Sequence, residues 1–345
     1  MPSNDVEPPR EAAVLLRVAA GFVSSQVLYV AAELGIADLL AHGALTAQEL
    51  ASKTGAQADA MARLLRALVA FGILKCNGDD KFLLTAAGEF LRSDVPGSQR
   101  ALVRFLVGPW YWRAWENLSH SIRTGEPAFD HVWGMSNFEY WRRHPDVSKI
   151  HDEAMEGLTA LETARILASY DFSHFGKVVD VGGGNGAFLA ALLRQHPKIT
   201  GTLADLSHVV SLASGVLQQA GVVDRCDIVA CDFFEALPAG GDAYVLKHVI
   251  HDWDDERARR ILRNCHRFMG ESAKLLIIDM VFPAQPTPET AMAYISDIGM
   301  FVGTPGGRER TQGNFQELLE SAGFEFIQVI PTGGPSDIVE AQKRA

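Results

Sequence analysis

From residue 177 onward the chain alternates short apolar runs with amphipathic segments, the pattern of strands and helices laid down in turn. KVVDV, ITGTLAD, CDIVACDFF, DAYVLKHVI and AKLLIIDMVF read as buried strands, and Ala187–Gln195 reads as the helix after the first of them. FEFIQVIPT and SDIVEAQ read as a closing hairpin. The pattern predicts an α/β fold, a doubly wound domain over 171–345 with a largely parallel sheet.

The first hundred residues differ. Leu28, Ala31, Ala32, Gly35, Ile36, Leu39 and Leu40 recur at helical spacing, and the apolar stretch Ala12 to Leu40 predicts one long helix. Thr46 with Glu49 three residues on predicts a capping box. A second helix carrying Met61, Leu64, Leu65, Leu68 and Val69 follows Gly55. Ile73–Cys76 and Phe82–Leu84 flank Asn77-Gly78-Asp79-Asp80, a hairpin signal. Helix, turn, helix, hairpin is a winged-helix order over 1–100. Residues 101–170 read as a helical connector rich in large aromatics, either a helical core or the wall of a pocket for a flat apolar ligand.

Composition narrows the classes. The chain is 48% hydrophobic and 21% charged, which suits a packed globular protein. A formal net charge of −11 disfavours nucleic acid as a partner. The winged-helix region holds nine Lys and Arg against eleven Asp and Glu, the wrong balance for DNA. Its first helix carries more apolar surface than a small domain covers, so a homodimer is expected through this region. Arg17, Ser24, Ser25, Gln26 and Glu33 interrupt that helix, leaving no run of about 18 apolar residues for a membrane span. MPSNDVEPPRE lacks the order of a signal peptide, so a cytoplasmic location is expected. Four cysteines without a CxxC pair suggest neither a zinc site nor a disulfide framework.

The strongest chemical signal is VVDVGGGNG at a strand-to-helix turn. Gly182, Gly184 and Gly186 allow a tight turn and a close ligand. Gly182, Gly184 and Ala187 also satisfy the dinucleotide fingerprint, and Asp205 at the next strand end suits a ribose in either case. Three features favour S-adenosylmethionine over NAD. Asp180 is placed for a cationic amino acid moiety and would repel a pyrophosphate. Asp232 can accept an adenine amino group while Phe233 packs on the ring. No Lys or Arg lies near the glycine turn to meet phosphates. Further on, a strand over Tyr244–Ile250 delivers His251 to the carboxyl end of the sheet, where such sheets place ligands. The acidic run Asp252, Asp254, Asp255, Glu256 precedes Arg257, Arg259, Arg260 and Arg263, which marks a helix start rather than a metal site.

Over nearly its whole length the chain resembles the plant-type small-molecule O-methyltransferases. The resemblance rests on FDHVWGMSNFEYW, VVDVGGGNG, DLSHVV, GDAYVLKHVIHDWDDE and GTPGGRERTQGNF. It implies transfer of a methyl group from S-adenosylmethionine, leaving S-adenosylhomocysteine, to a hydroxyl of a small aromatic molecule without a metal. It implies His251 as the catalytic base, flanked by Asp279 and Glu309. Asp279 departs from the Glu of the plant enzymes and is one methylene shorter. The resemblance carries Gly182, Asp205, Asp232, Phe233, Lys247 and Thr159 over as cofactor positions. It carries Trp115, Phe138, Trp141, Met155, Met300 and Thr304 over as substrate positions. The chemistry is consistent: a phenol with pKa near 10 is a poor nucleophile at neutral pH, and a histidine can take its proton as the oxygen attacks. Two other readings stand beside this one, a winged-helix regulator that senses a small molecule and an NAD-dependent oxidoreductase.

Overall fold

The computed structural model of the protein describes residues 10–211, 213–283 and 285–344. The chain forms two compact units, one from residues 1–112 with 146–157, the other from residues 113–145 with 158–345.

In the first unit the expected long N-terminal helix is divided. Helices span Arg10–Ala19, Gly21–Glu33 and Ile36–Leu40. Gly35 breaks the second from the third by taking a left-handed backbone (φ 64°), which ends helical hydrogen bonding. The first two helices leave Leu15, Leu16, Val18 and Phe22 exposed. By length and composition alone Ala12–Glu33 is apolar enough to cross a membrane (mean hydropathy 1.6), and within it only Ala31 and Ala32 are buried. Thr46 caps helix Ala47–Thr54 through the expected box with Glu49, and Gly55 ends it in the left-handed region. Helix Ala58–Ala70 packs Met61, Leu65 and Leu68 inward. The hairpin forms between Leu74–Cys76 and Lys81–Leu84. A third strand, Leu45–Thr46, pairs with it; two residues are too few to give a periodic signal.

The second unit is built on a seven-stranded sheet. In chain order its strands are β1 (Lys177–Val181), β2 (Thr200–Asp205), β3 (Cys226–Ala230), β4 (Ala243–Lys247), β5 (Lys274–Asp279), β6 (Phe324–Ile330) and β7 (Asp337–Lys343). Their spatial order is β3-β2-β1-β4-β5-β7-β6. The first five are parallel, while β7 runs antiparallel to both β5 and β6. The order turns back between β1 and β4, the switch point where open α/β sheets receive ligands. Every residue of β5 from Leu275 to Asp279 is buried, because helices cover both sheet faces. One apolar core gathers Leu262, Phe315 and Phe324, and the other gathers Leu189, Leu203 and Leu217. The acidic run starts helix Asp255–Phe268, with Asp254 accepting the Arg257 amide as its cap. The aromatic-rich segment forms short helices, followed by the 25-residue helix Pro145–Ser169.

Candidate active site

The glycine turn follows β1. Gly182, Gly184 and Gly186 all take positive φ (69°, 62° and 81°). A Cβ on Gly182 would lie 2.8 Å from Val249 and 3.5 Å from the Phe233 ring, so the close approach needs glycine. The Gly184 amide donates to Asp205 at 2.9 Å, which ties the turn to the end of β2. Asp205 also takes its neighbour's amide, and burial nevertheless raises its pKa. Asp232 lies two residues beyond β3 and accepts the Phe234 amide. Phe233 packs edge-on to Trp253, with ring centres 6.1 Å apart.

Asp180, within β1, is 1% exposed, and neither of its oxygens has a hydrogen bond. Burial lifts its pKa to about 7, the Lys247 charge opposing and the Asp205 charge assisting. A buried carboxylate without partners is costly. It matches a ligand that brings a cation or donors. Beside it, Lys247 at the end of β4 donates to Thr159 (3.2 Å) and pairs with Glu162 (3.5 Å). Burial lowers the Lys247 pKa, with the Glu162 and Asp180 charges working against that. Paired acceptors at a strand end, an unpartnered carboxylate and a glycine approach fit S-adenosylmethionine.

The strand expected to run to Ile250 stops at Lys247. His248 turns the chain by adopting φ 54°, rare for a residue with a side chain, and ladder pairing ends there. His251 therefore stands on a 3-10 turn, Ile250–Asp252, rather than directly on a strand. Two features pin that turn. The Arg308 amide donates to the His251 carbonyl (2.8 Å). Arg310, 1% exposed, donates to the carbonyls of Ile250 and Trp253 and to Asp255, each at 2.8 Å. The sequence reading missed Arg310; its one signal was an arginine directly after Glu309.

His251 Nδ1 lies 3.4 Å from Glu309. Glu309 is held in turn by the Ser296 hydroxyl (2.9 Å) and, through its own amide, by Asp297 (2.9 Å). Burial pushes Glu309 up, but the hydrogen bond and charge of His251 outweigh this and bring it below the ordinary range. Asp279, at the end of β5, stands within 4.8 Å of His251, and its nearest ion-pair partner is His248 Nδ1 at 3.8 Å. Asp279 is fully buried with no hydrogen bond to either oxygen, and burial lifts it to about 7. For His251 burial acts downward, yet the Asp279 charge and the Glu309 hydrogen bond prevail and push it up to about 10.

His248 was also missed, although a second histidine three residues before His251 was in plain view. Its Nε2 lies 2.9 Å from Glu162. Burial, then the Lys247 charge, lowers His248 to about 4, so the ring is neutral. The carboxylate can only accept, so Nε2 carries the proton and Nδ1 presents a lone pair toward Asp279.

Of the expected substrate positions, Phe138 stacks on Trp253 (5.6 Å, 15°) and meets Trp141 edge-on. Trp115 comes within 3.9 Å of the Cβ position at Gly299, next to Met300. Thr304 is buried and donates to the Met300 carbonyl at 2.7 Å. Met155 belongs to the other compact unit.

A family profile described as the O-methyltransferase domain matches residues 115–325, and one described as the O-methyltransferase dimerisation domain matches residues 16–94. The chain is 40% identical to phenazine O-methyltransferase PhzM of Lysobacter antibioticus, covering 95% of each chain. The crystal structure of LaPhzM matches with TM-score 0.92 at 39% identity, covering 98% of this chain and 100% of that one. NcsB1, an O-methyltransferase from neocarzinostatin biosynthesis solved with S-adenosylmethionine and 2-hydroxy-5-methyl naphthoic acid, matches with TM-score 0.80 at 37% identity, covering 95% and 98%.

Proposed function

This chain belongs to the O-methyltransferase family and uses S-adenosylmethionine, and we propose that it methylates a hydroxyl of a small aromatic natural-product-type metabolite with His251 as general base. The observation that carries the reading is the partly buried His251 between Glu309 and Asp279, one strand away from a glycine turn whose Asp180 lacks partners. S-adenosylmethionine supplies a methyl group already activated by its sulfonium. The protein supplies alignment and proton removal.

Each role follows from the local chemistry. Asp180 and Lys247, with Thr159, receive the charged amino acid end of the cofactor. Asp205 accepts the ribose hydroxyls. Asp232 and Phe233 hold the adenine. Phe138, Trp141, Trp115, Met300 and Thr304 line the wall for a flat acceptor. Glu309 and Asp279 stabilise the imidazolium that forms as His251 takes the phenolic proton. With only the protein's charges around it, His251 already holds a proton at neutral pH. That proton must leave before the ring acts as a base. A positive charge brought beside the ring favours its loss, since like charges disfavour the protonated form.

The assembly belongs to the same proposal. Residues 1–100 serve as the dimerisation domain, 101–170 as connector and pocket wall, and 171–345 as the catalytic domain. The exposed Leu15, Leu16, Val18 and Phe22 form one homodimer face about a two-fold axis. Because this segment falls largely within the match to the dimerisation domain, a second copy covers it rather than a membrane. The enzyme then works in the cytoplasm. Sedimentation of the full chain should give a dimer, and Leu15→Glu with Val18→Glu should weaken it; a wild-type monomer at micromolar concentration contradicts the proposal.

The experiment for the activity is a screen of phenols, hydroxyindoles, phenazines and aromatic polyketides with S-adenosylmethionine, read by mass. The expected result is a gain of one methyl on a hydroxyl for at least one class. Methyl gain only on nitrogen or carbon, or on none of them, contradicts the assignment.

A further inference from the structure

Three acceptor groups meet beside the catalytic histidine. His248 presents Nδ1, because its Nε2 is committed to Glu162 at 2.9 Å. Asp279 presents a carboxylate that is fully buried and receives no hydrogen bond. His251 presents a ring nitrogen, its Nδ1 lying 3.4 Å from Glu309. The three ligand atoms lie within 4.8 Å of one another. Once His251 has given up its proton, no donor lies between the three groups, and acceptors so placed repel one another. A proton or a cation relieves that.

We infer that His248, His251 and Asp279 form a divalent-metal site whose occupation switches the enzyme off, with Zn2+ as the fitting ion. Two imidazoles and one carboxylate are an ordinary zinc donor set, with a fourth position open to solvent. Both histidines have a carboxylate beside a ring nitrogen, Glu162 for His248 and Glu309 for His251, the arrangement that orients metal-bound imidazoles. Ligands about 2.0–2.2 Å from zinc sit roughly 3.4 Å apart. His248 Nδ1 already stands 3.8 Å from Asp279, so zinc has only to draw the three atoms in from within 4.8 Å to that spacing.

Metal binding and base catalysis exclude each other here. A neutral imidazole has one nitrogen lone pair and one N–H. If zinc takes that lone pair at either nitrogen, none is left for the acceptor's proton. The site is therefore inhibitory, and this part of the inference rests on His251 being the base. Binding itself does not rest on that reading.

The test uses the full-length enzyme and ZnCl2. Calorimetry should show one tight Zn2+ per chain, removable by a chelator. His248→Asn, whose side chain tolerates a left-handed backbone, and Glu162→Gln, which removes the carboxylate behind His248, should each weaken binding by about tenfold or more. With an acceptor from the screen, Zn2+ should abolish wild-type methyl transfer. His248→Asn, measured against its own zinc-free rate, should need roughly tenfold more zinc than wild type for the same fractional inhibition. Zinc affinity unchanged in both variants overturns the site. Tight binding lost in the variants, with wild-type activity indifferent to zinc, leaves the site standing and overturns the switch.

Discussion

At the glycine turn, Asp180 is buried without a single hydrogen bond, while Asp205 accepts only the backbone amides of Gly184 and Leu206, and Thr159 accepts from Lys247. At the His251 turn the protein supplies more of the contacts itself. Glu309 is bonded to Ser296 and paired with His251, and Arg310 fastens the loop with hydrogen bonds to three groups around it. The first region keeps polar groups unsatisfied for a ligand to complete. The second fastens its own scaffold through Ser296 and Arg310, because a base must be aimed before the acceptor arrives, and leaves only the Asp279 carboxylate beside the ring without a hydrogen bond. Cofactor binding and proton removal should therefore fail separately when each region is altered.

The largest separation is expected for His251→Ala. Turnover should fall by roughly 10²–10⁴-fold, the usual worth of a general base, while S-adenosylhomocysteine affinity stays unchanged. Steady-state kinetics beside calorimetry reads both. Asp205→Ala should do the converse, weakening S-adenosylhomocysteine by about 1–3 kcal/mol because ribose hydroxyls lose their acceptor. An unchanged dissociation constant would show that β2 does not end at the ribose.

Charge around the base gives a subtler division. The Asp279 carboxylate is the chief influence holding His251 near 10. Activity should rise with pH as the proton leaves, and Asp279→Asn should move that acid limb to lower pH by removing the charge that retains it. A limb displaced upward, followed as kcat/KM against pH, breaks this account of the cluster.

The smallest effect concerns stability of the ligand-free protein. Asp180 has a folded pKa of about 7, above the ordinary carboxylate value of about 4. Ionising it inside the fold is unfavourable, so its cost is absent below about pH 4 and grows to its full size as pH rises past 7. Asp180→Asn removes that cost. Its Tm should match wild type near pH 4 and exceed it at pH 8, while S-adenosylmethionine should raise Tm less in the variant. A variant no more stable than wild type at pH 8 would mean that Asp180 is satisfied without the ligand.

The two regions also differed in how far the sequence revealed them. The glycine turn was legible because its logic is local: a strand, three glycines and a helix start lie within a dozen residues, with Asp205 at the end of the next strand and Asp232 two residues past the one after. The same local logic located the capping box at Thr46 and the start of the arginine-rich helix at Asp254. The catalytic turn depends on long-range closure. His251, Asp279 and Glu309 were named through the family's motifs, but the strand before His251 ends three residues early because His248 takes a backbone that no periodicity encodes. The shorter Asp279 side chain ends nearer His248 than His251, and Arg310 acts on carbonyls some sixty residues away. The division of the N-terminal helix at Gly35 was likewise hidden, since its apolar spacing runs on through the break.

The central claim is that His251 removes the proton from the acceptor hydroxyl. The most direct test compares wild type with His251→Ala across a series of accepted phenols of decreasing pKa at one pH. A base matters most when the hydroxyl holds its proton, so the rate loss should be greatest for the weakest acid and shrink toward unity as the phenol becomes ionised in solution. A loss that stays the same across the series would contradict the account and leave His251 as a residue that only shapes the pocket.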